Sequence, residues 1–333
     1  MMRLHWVATG GTIAGLSVQA NGDGASGPWA YAAAQVPVEQ LLQGMPDVLS
    51  AADWSAEQVY SIGSQDLTPS HMIKLRNSVV QALANPEVQG IIVSHGTDTA
   101  EDTLWFLHQT LSPAQLRVPV VCVAAMYPMD HPLSDGQTNA LAAVNHIQRL
   151  GQSEHPASNN DCSRLGLCVH GQFIPAPLVH KRSTLGGEAF LCKGYSADDQ
   201  QALLKDLLLA HPGGTFAHFN QTRFLRANVA VLYCTPNAGL AAQLSALLSS
   251  PVQSLIVAAP GHGNIPEACI ELLSSALNKG VRVVRASRAE EGGVGTGGEF
   301  DLFESYKAKG LYAEAGDLTL PKLVIQEMLN VSQ

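Results

Sequence analysis

Ala8-Thr9-Gly10-Gly11-Thr12-Ile13-Ala14-Gly15, directly behind the apolar run Leu4–Ala8, reads as a strand running into a turn. Gly10 and Gly11 admit positive φ and close approach of another backbone, and in an open α/β sheet the loops at the carboxyl ends of strands are where ligands sit. Thr12 is therefore expected at a site. Taken alone, the octapeptide also reads as an ordinary helix start, because Thr caps helices and Gly is common in turns. The rest of the chain decides between the two.

Outward from Gly15, a segment to Trp29 carries Asn21-Gly22-Asp23-Gly24 without apolar periodicity, a mobile loop with Tyr31 at its far end. Val36–Leu42 begins a helical stretch, and Gln58–Ile62 reads as a strand ending in Gly63-Ser64-Gln65-Asp66. Helix Pro69–Leu83, strand Gly90–Ser94, turn His95-Gly96-Thr97-Asp98 and helix Thr99–Leu111 come next, then strand Val118–Ala124, helix Asp135–Leu150 and strand Leu165–His170. Thr99 and Asp102 form a capping-box pattern that predicts the helix start. Such alternation implies an α/β fold, a mostly parallel sheet with helices on both faces. His211-Pro212-Gly213-Gly214 breaks a helical stretch over Ser196–Ala210; after it come strands Val229–Tyr233, Ser254–Ala259 and Val281–Ala286, with helices Gly239–Leu248, Pro266–Lys279 and Pro321–Leu329. The expected organisation is a larger N-terminal parallel-sheet domain over 1–193, a connection over 194–226 and a smaller C-terminal α/β domain over 227–333.

The bulk composition narrows the function classes. The chain has 333 residues, 46% of them hydrophobic and 14% charged, with a formal charge of -9. That excludes disorder and gives no electrostatic footprint for nucleic acid or an anionic membrane. Small molecules and further copies of the chain are the expected partners. Six cysteines are scattered without a C-x-x-C pair, and the twelve histidines include no H-x-x-x-H, so neither a disulfide framework nor a metal is expected. No apolar run approaches a membrane helix and Met1 leads straight into the first strand, which reads as cytoplasmic. Gly293-Val294-Gly295-Thr296-Gly297-Gly298 holds a G-x-G-x-x-G, but no helix opens behind it and it is read as a loop, with no cofactor expected.

Thr12, Ser64-Gln65, Thr97-Asp98 and Lys181 all fall in turns after predicted strands, which on one parallel sheet places them along one edge. A Thr hydroxyl is a poor nucleophile and needs a base or proton relay; Asp98 paired with Lys181 is suited to take a proton from Thr97 or Thr12. The residues alone allow either threonine to attack first. The implied reaction is acyl transfer to water.

The three motifs Ala8–Gly15, Gly63-Ser64-Gln65-Asp66 and His95-Gly96-Thr97-Asp98-Thr99 together resemble the bacterial-type L-asparaginases and asparaginase-glutaminases, and Ala124-Ala125-Met126, Asp135-Gly136, Gly261-His262-Gly263-Asn264 and Arg285-Ala286-Ser287-Arg288 extend the likeness over most of the chain. The resemblance implies hydrolysis of L-asparagine to L-aspartate and ammonia, without cofactor. It assigns Thr12 as nucleophile with Tyr31 aiding its activation, and Thr97, Asp98 and Lys181 as a second relay. Ser64, Gln65 and Asp98 would hold the α-carboxylate and α-amino groups, with a backbone contact from Ala125. By the same resemblance Asn264 and Glu299 would complete a partner subunit's site, so a homodimer or homotetramer is expected. The alternatives are a glutaminase or dual-specificity enzyme, since one methylene is worth only about 1–3 kcal/mol of discrimination, a silent amino-acid-binding sensor, and a transamidation subunit acting with a tRNA-bound partner. Departures from the family pattern lie at Thr184–Leu191, at Ser196–Ala210, in a loop before Tyr31 that has no Lys or Arg, and at Tyr127 where Arg is common.

Overall fold

The computed structural model describes residues 1–18, 31–152, 162–184, 189–190, 197–289, 293–294, 302–311 and 316–333. The chain divides into two compact units, Met1–His218 and Phe219–Gln333.

In the first unit the strands are β1 (Arg3–Gly10), β2 (Leu16–Ser17), β3 (Tyr31–Ala32), β4 (Asp53–Ile62), β5 (Gly90–Ser94), β6 (Val120–Val123), β7 (Leu165–Val169) and β8 (Gln172–Pro175). The helices are α1 (Val38–Gln43), α2 (Pro46–Ala51), α3 (Pro69–Ala84), α4 (Ala100–Thr110), α5 (Gly136–Gly151) and α6 (Ala197–Ala210). One six-stranded sheet runs β4-β1-β5-β6-β7-β8, parallel except for β8. Leu4, Trp6 and Ala8 of β1 alternate onto one face, where they join Val38, Leu41, Val48, Ala140 and Val144 of α1, α2 and α5 in one core cluster. Helices α3 and α4 contact strands of the same sheet, and the sheet's central strands β5 and β6 are buried throughout. That is why they read as continuous Val/Ile runs.

Three features differ from the sequence expectation. The strand expected at Gln58–Ile62 extends back to Asp53, because every residue from Arg3 to Ala8 pairs with it. The antiparallel β8 was not expected; His170 and Gly171, both at positive φ (53° and 69°), make the two-residue hairpin that turns β7 into it. The loop ends after Gly15 are also not free coil: Leu16 pairs with Ala32 and Ser17 with Tyr31 in an antiparallel ribbon. The expected mobile stretch between them, 19–30, lies outside the described residues.

The second unit holds α7 (Gln221–Phe224), β9 (Val229–Tyr233), α8 (Leu240–Leu248), β10 (Ser254–Ala259), α9 (Glu267–Asn278), β11 (Arg282–Ser287), α10 (Leu302–Ala308) and α11 (Leu320–Asn330). Its three parallel strands run β11-β10-β9, with Leu255, Val257 and Ala259 packed on Leu244, Cys269 and Leu273 of α8 and α9. Helix α11 is tied to the sheet by buried Glu327, whose Oε2 accepts from Ser254 Oγ (2.5 Å) and Arg282 Nε (2.8 Å). No described helix is long and apolar enough to cross a membrane.

Candidate active site

Parallel register brings the carboxyl ends of four strands level: Gly10 pairs with Ile62, Ala8 with Ser94, and Ser94 with Val123. The loops that leave these ends are Gly11-Thr12, Gly63-Ser64-Gln65, His95–Asp98 and Ala124-Ala125, so residues scattered over more than a hundred positions share one sheet edge. Their backbones interlock through glycine. Gly11 has φ 81°, and a Cβ there would lie 2.4 Å from the Gly96 nitrogen; a Cβ on Gly96 would lie 2.4 Å from Ser64 Oγ. Thr12 and Thr97 each directly follow one glycine of the abutting pair Gly11 and Gly96, and both are buried, at 6% exposure.

Two hydroxyl-centred clusters result. Thr12 Oγ1 lies 3.0 Å from Tyr31 Oη, and Tyr31 itself is exposed. Lys181 Nζ donates to Thr97 Oγ1 at 2.8 Å and to Asp98 Oδ1 at 2.5 Å. An ammonium has donors only, so Thr97 Oγ1 accepts from it and the Thr97 proton is turned to another partner. Ser64 is arranged likewise: its Oγ accepts the Asp98 N–H at 3.2 Å, which leaves its own proton to donate. Its carbonyl takes the Thr99 hydroxyl at 2.9 Å. That bond corrects the capping-box expectation. Helix α4 starts where expected, but the Thr99 side chain makes no cap hydrogen bond because Ser64 engages it. The Gln65 side chain is exposed and folds back over Gly63, with Nε2 donating to Asp66 Oδ2 at 3.3 Å.

The supports of these clusters include residues that sequence reasoning missed. Glu101, 3% exposed in the first turn of α4, accepts the Lys181 backbone N–H at 3.2 Å and pairs with His180 Nδ1 at 2.9 Å. An acid in a first helical turn reads as a partner for the helix dipole, so only its burial marks it. His95 lies within hydrogen-bond reach of the Gly96 carbonyl through Nδ1 (2.8 Å) and of Thr103 Oγ1 through Nε2 (2.9 Å); a carbonyl only accepts, so the proton sits on Nδ1. Burial lowers its pKa and keeps the ring neutral. Asp135 Oδ1 accepts the Met126 and Tyr127 N–H groups (2.9 and 3.2 Å), and Asn139 Nδ2 donates to Asp135 Oδ2 and to the Ala124 carbonyl (2.8 and 2.9 Å). Ala125, fully buried, is held in this turn.

Thr12, Tyr31, Ser64, Gln65, Thr97, Asp98, Ala125 and Lys181 thus all belong to the first unit, at or beside one sheet edge. Asn264 belongs to the second unit, in the exposed turn after β10, where its N–H reaches the Pro260 carbonyl at 2.9 Å. Glu299 and most of the glycine run from Gly293 lie outside the described residues. Among the described residues no cluster of His, Cys, Asp and Glu has the makings of a metal site.

Comparison with known proteins bears on this edge. Residues 3–194 match the family model described as the asparaginase N-terminal domain, and residues 228–333 that of the glutaminase/asparaginase C-terminal domain. The chain is 28% identical over 292 residues to L-asparaginase 2 of Bacillus subtilis, covering 86% of this chain and 72% of that one. It is also 28% identical over 295 residues to the glutaminase-asparaginase of Pseudomonas aeruginosa, covering 86% and 75%. The crystal structure of the probable cytoplasmic L-asparaginase from Campylobacter jejuni superposes with a TM-score of 0.76 at 24% identity, over 100% of this chain and 96% of that one, and so shares its fold.

Proposed function

Because the chain belongs to the asparaginase family of amidohydrolases, we propose that it hydrolyses L-asparagine to L-aspartate and ammonia through a threonine nucleophile, with no cofactor. The observation that carries this reading is the pairing of two hydroxyl clusters across the Gly11–Gly96 contact: Thr12 with Tyr31, and Thr97 with Lys181 and Asp98. A two-step acyl transfer to water needs an activated nucleophile and then a positioned water; the pair of Thr12 and Tyr31 suits the first and the cluster of Thr97, Lys181 and Asp98 the second.

In the proposed reaction Thr12 Oγ1 attacks the side-chain amide carbon, its proton passing to the Tyr31 oxygen as Tyr31 gives its own proton up toward the amide nitrogen. The C–N bond breaks, the nitrogen takes up a proton and ammonia leaves, with the acyl group esterified to Thr12. Water oriented by Thr97, Lys181 and Asp98 then cleaves the ester, and Thr12 regains its proton. Ser64, whose proton is left to donate, suits the substrate α-carboxylate, and the exposed Asp98 carboxylate suits the α-amino group. Gln65 and Ala125 are the further substrate contacts of this reading. Asn264 and Glu299 would act from a partner subunit, which makes an intimate homodimer, or a tetramer of such dimers, the working form. A cytoplasmic location is proposed with it, supported by six scattered cysteines without a pairing pattern.

Glutamine is the second reading, favoured by the equal identity to relatives named for either amide. The test is ammonia release from both amino acids. Wild type is expected to act on asparagine with the larger kcat/KM, and Thr12→Ala and Thr97→Val to lose at least about 100-fold. Equal release by wild type and both variants would overturn the site, and a larger kcat/KM for glutamine would replace the substrate. Asparagine binding without turnover would make the protein a sensor.

A further inference from the structure

Tyr31 stands on a two-residue strand, 42% exposed, yet its hydroxyl must sit at a fixed distance from Thr12. Beyond Ala32 the chain is tied to the Thr12 turn, with the Ala34 N–H on the Gly11 carbonyl (3.1 Å) and the Gln35 and Val36 N–H groups on that of Ala14 (2.7 and 3.0 Å); on its other side Tyr31 has only the two-residue ribbon, which is marginal in water. The strand that pairs with it is held from outside. Ser17, opposite Tyr31 in the register, gives its N–H to both carboxylate oxygens of Asp130 (2.8 and 3.1 Å) and its hydroxyl to Oδ1 (3.0 Å). Beside it, the Met129 N–H reaches the Gly15 carbonyl at 3.0 Å.

The loop that carries Asp130 is itself braced. Its start is fixed by Asp135, which takes the Met126 and Tyr127 N–H groups. Tyr127 and His131 stack at 4.9 Å between ring centres with 14° between planes, and the N–H groups of His131 and Ser134 close successive turns on the Pro128 and His131 carbonyls. A path therefore runs from the end of β6 through Asp135, the braced loop, Asp130 and Ser17 to Tyr31, and from Tyr31 back to Thr12 at the end of β1, two strands away in the sheet. The hydrogen bonds from Ser17 also hold the Asp130 carboxyl below its ordinary pKa.

We propose that Asp130 is a positioning residue for the proposed amide hydrolysis: it grips Ser17 so that the paired strand presents the Tyr31 hydroxyl to Thr12. This rests on the reading of Tyr31 as the partner of the nucleophile. Asp130 touches no reacting atom, so its loss acts through Tyr31 and lowers kcat with little change in KM.

The experiment compares wild type, Asp130→Ala, Asp130→Asn, Tyr31→Phe and the double variant Asp130→Ala/Tyr31→Phe, by kcat and KM for L-asparagine and L-glutamine and by hydrogen exchange at the Leu16, Ser17 and Ala32 amides. Asp130 is exposed, so folding is expected to be unaffected. Asp130→Ala is expected to speed exchange at Ser17 and to lower kcat about tenfold, Asp130→Asn to restore part of both through its remaining carbonyl oxygen, and the double variant to be no slower than Tyr31→Phe. Unchanged exchange at Ser17, a kcat within twofold of wild type while Tyr31→Phe is impaired, or equal losses in both backgrounds would each overturn the proposal. If wild type hydrolyses neither amide, the functional reading falls. In that case faster Ser17 exchange in Asp130→Ala supports the grip itself, and unchanged exchange removes it.

Discussion

His95 lies in the turn that presents Thr97 and Asp98, and it titrates with a sign that can be worked out. Its folded pKa is lowered by burial from 6.5, so the unfolded chain binds the proton first as pH falls. The stability it contributes is fully present above pH 6.5 and is lost as pH falls below that value, by up to about 1.4 kcal/mol per unit. Urea unfolding at pH 7.5 and 5.5 is expected to show a larger acid loss in wild type than in His95→Gln. His5 and His211, lowered by burial with the same sign, remain in both proteins and cancel in the comparison. Identical losses would mean that His95 is not held neutral. At this scale Thr12, Ser64, Thr97 and Asp98 were legible in the sequence as candidates because each follows a glycine turn at a strand end, whereas Lys181 lies beyond the unexpected β8 and the turn Ala176–Leu178 that follows it. Glu101 and His95 were not: nothing local distinguishes a buried acid or imidazole from an exposed one.

Helix α5 shows how one element fixes others. Asn139, fully buried, donates to the Ala124 carbonyl and Asp135, and accepts the Gly171 N–H at 2.9 Å. It thereby joins the end of β6 to the hairpin between β7 and β8. Asn139→Leu keeps the volume and strips these partners, and a buried group left unsatisfied costs about 1–3 kcal/mol. A loss of at least about 2 kcal/mol in urea unfolding is expected, with ammonia release falling as the Ala125 turn loosens; a loss under about 0.5 kcal/mol would show that the three bonds are dispensable. Elements with a full run of apolar residues, such as β5, β9 and β10, were read to the residue. The antiparallel β8 escaped because its turn, His170-Gly171, lacks the Asn-Gly or Asp-Gly signal of a tight hairpin. The Thr99 capping box failed for the opposite reason: the local pattern was present, but the Ser64 carbonyl from another strand end took the hydroxyl.

For the whole molecule, the proposed site draws Asn264 of the second unit from a different subunit. Subunit mixing tests this. Thr12→Ala and Asn264→Ala are each expected to be weak alone, and after dissociation and reassociation the mixture is expected to regain about one quarter of wild-type activity, since half of randomly formed dimers carry one intact site of two. Activity equal to the mean of the parents would place both residues in one chain's site or in none. The sequence by itself determined the alternation of strands and helices and hence the α/β class, because burial on both faces of a parallel sheet writes itself as apolar runs at fixed periods. It also determined which glycine turns carry hydroxyl and carboxylate. Only the tertiary structure decided that Gly11 and Gly96 abut, that Glu101 sits beneath Lys181, and that Asp130 grips the strand opposite Tyr31. Those are contacts between segments far apart in the chain, and their strength depends on distance and exclusion of water, which no local pattern of residues encodes.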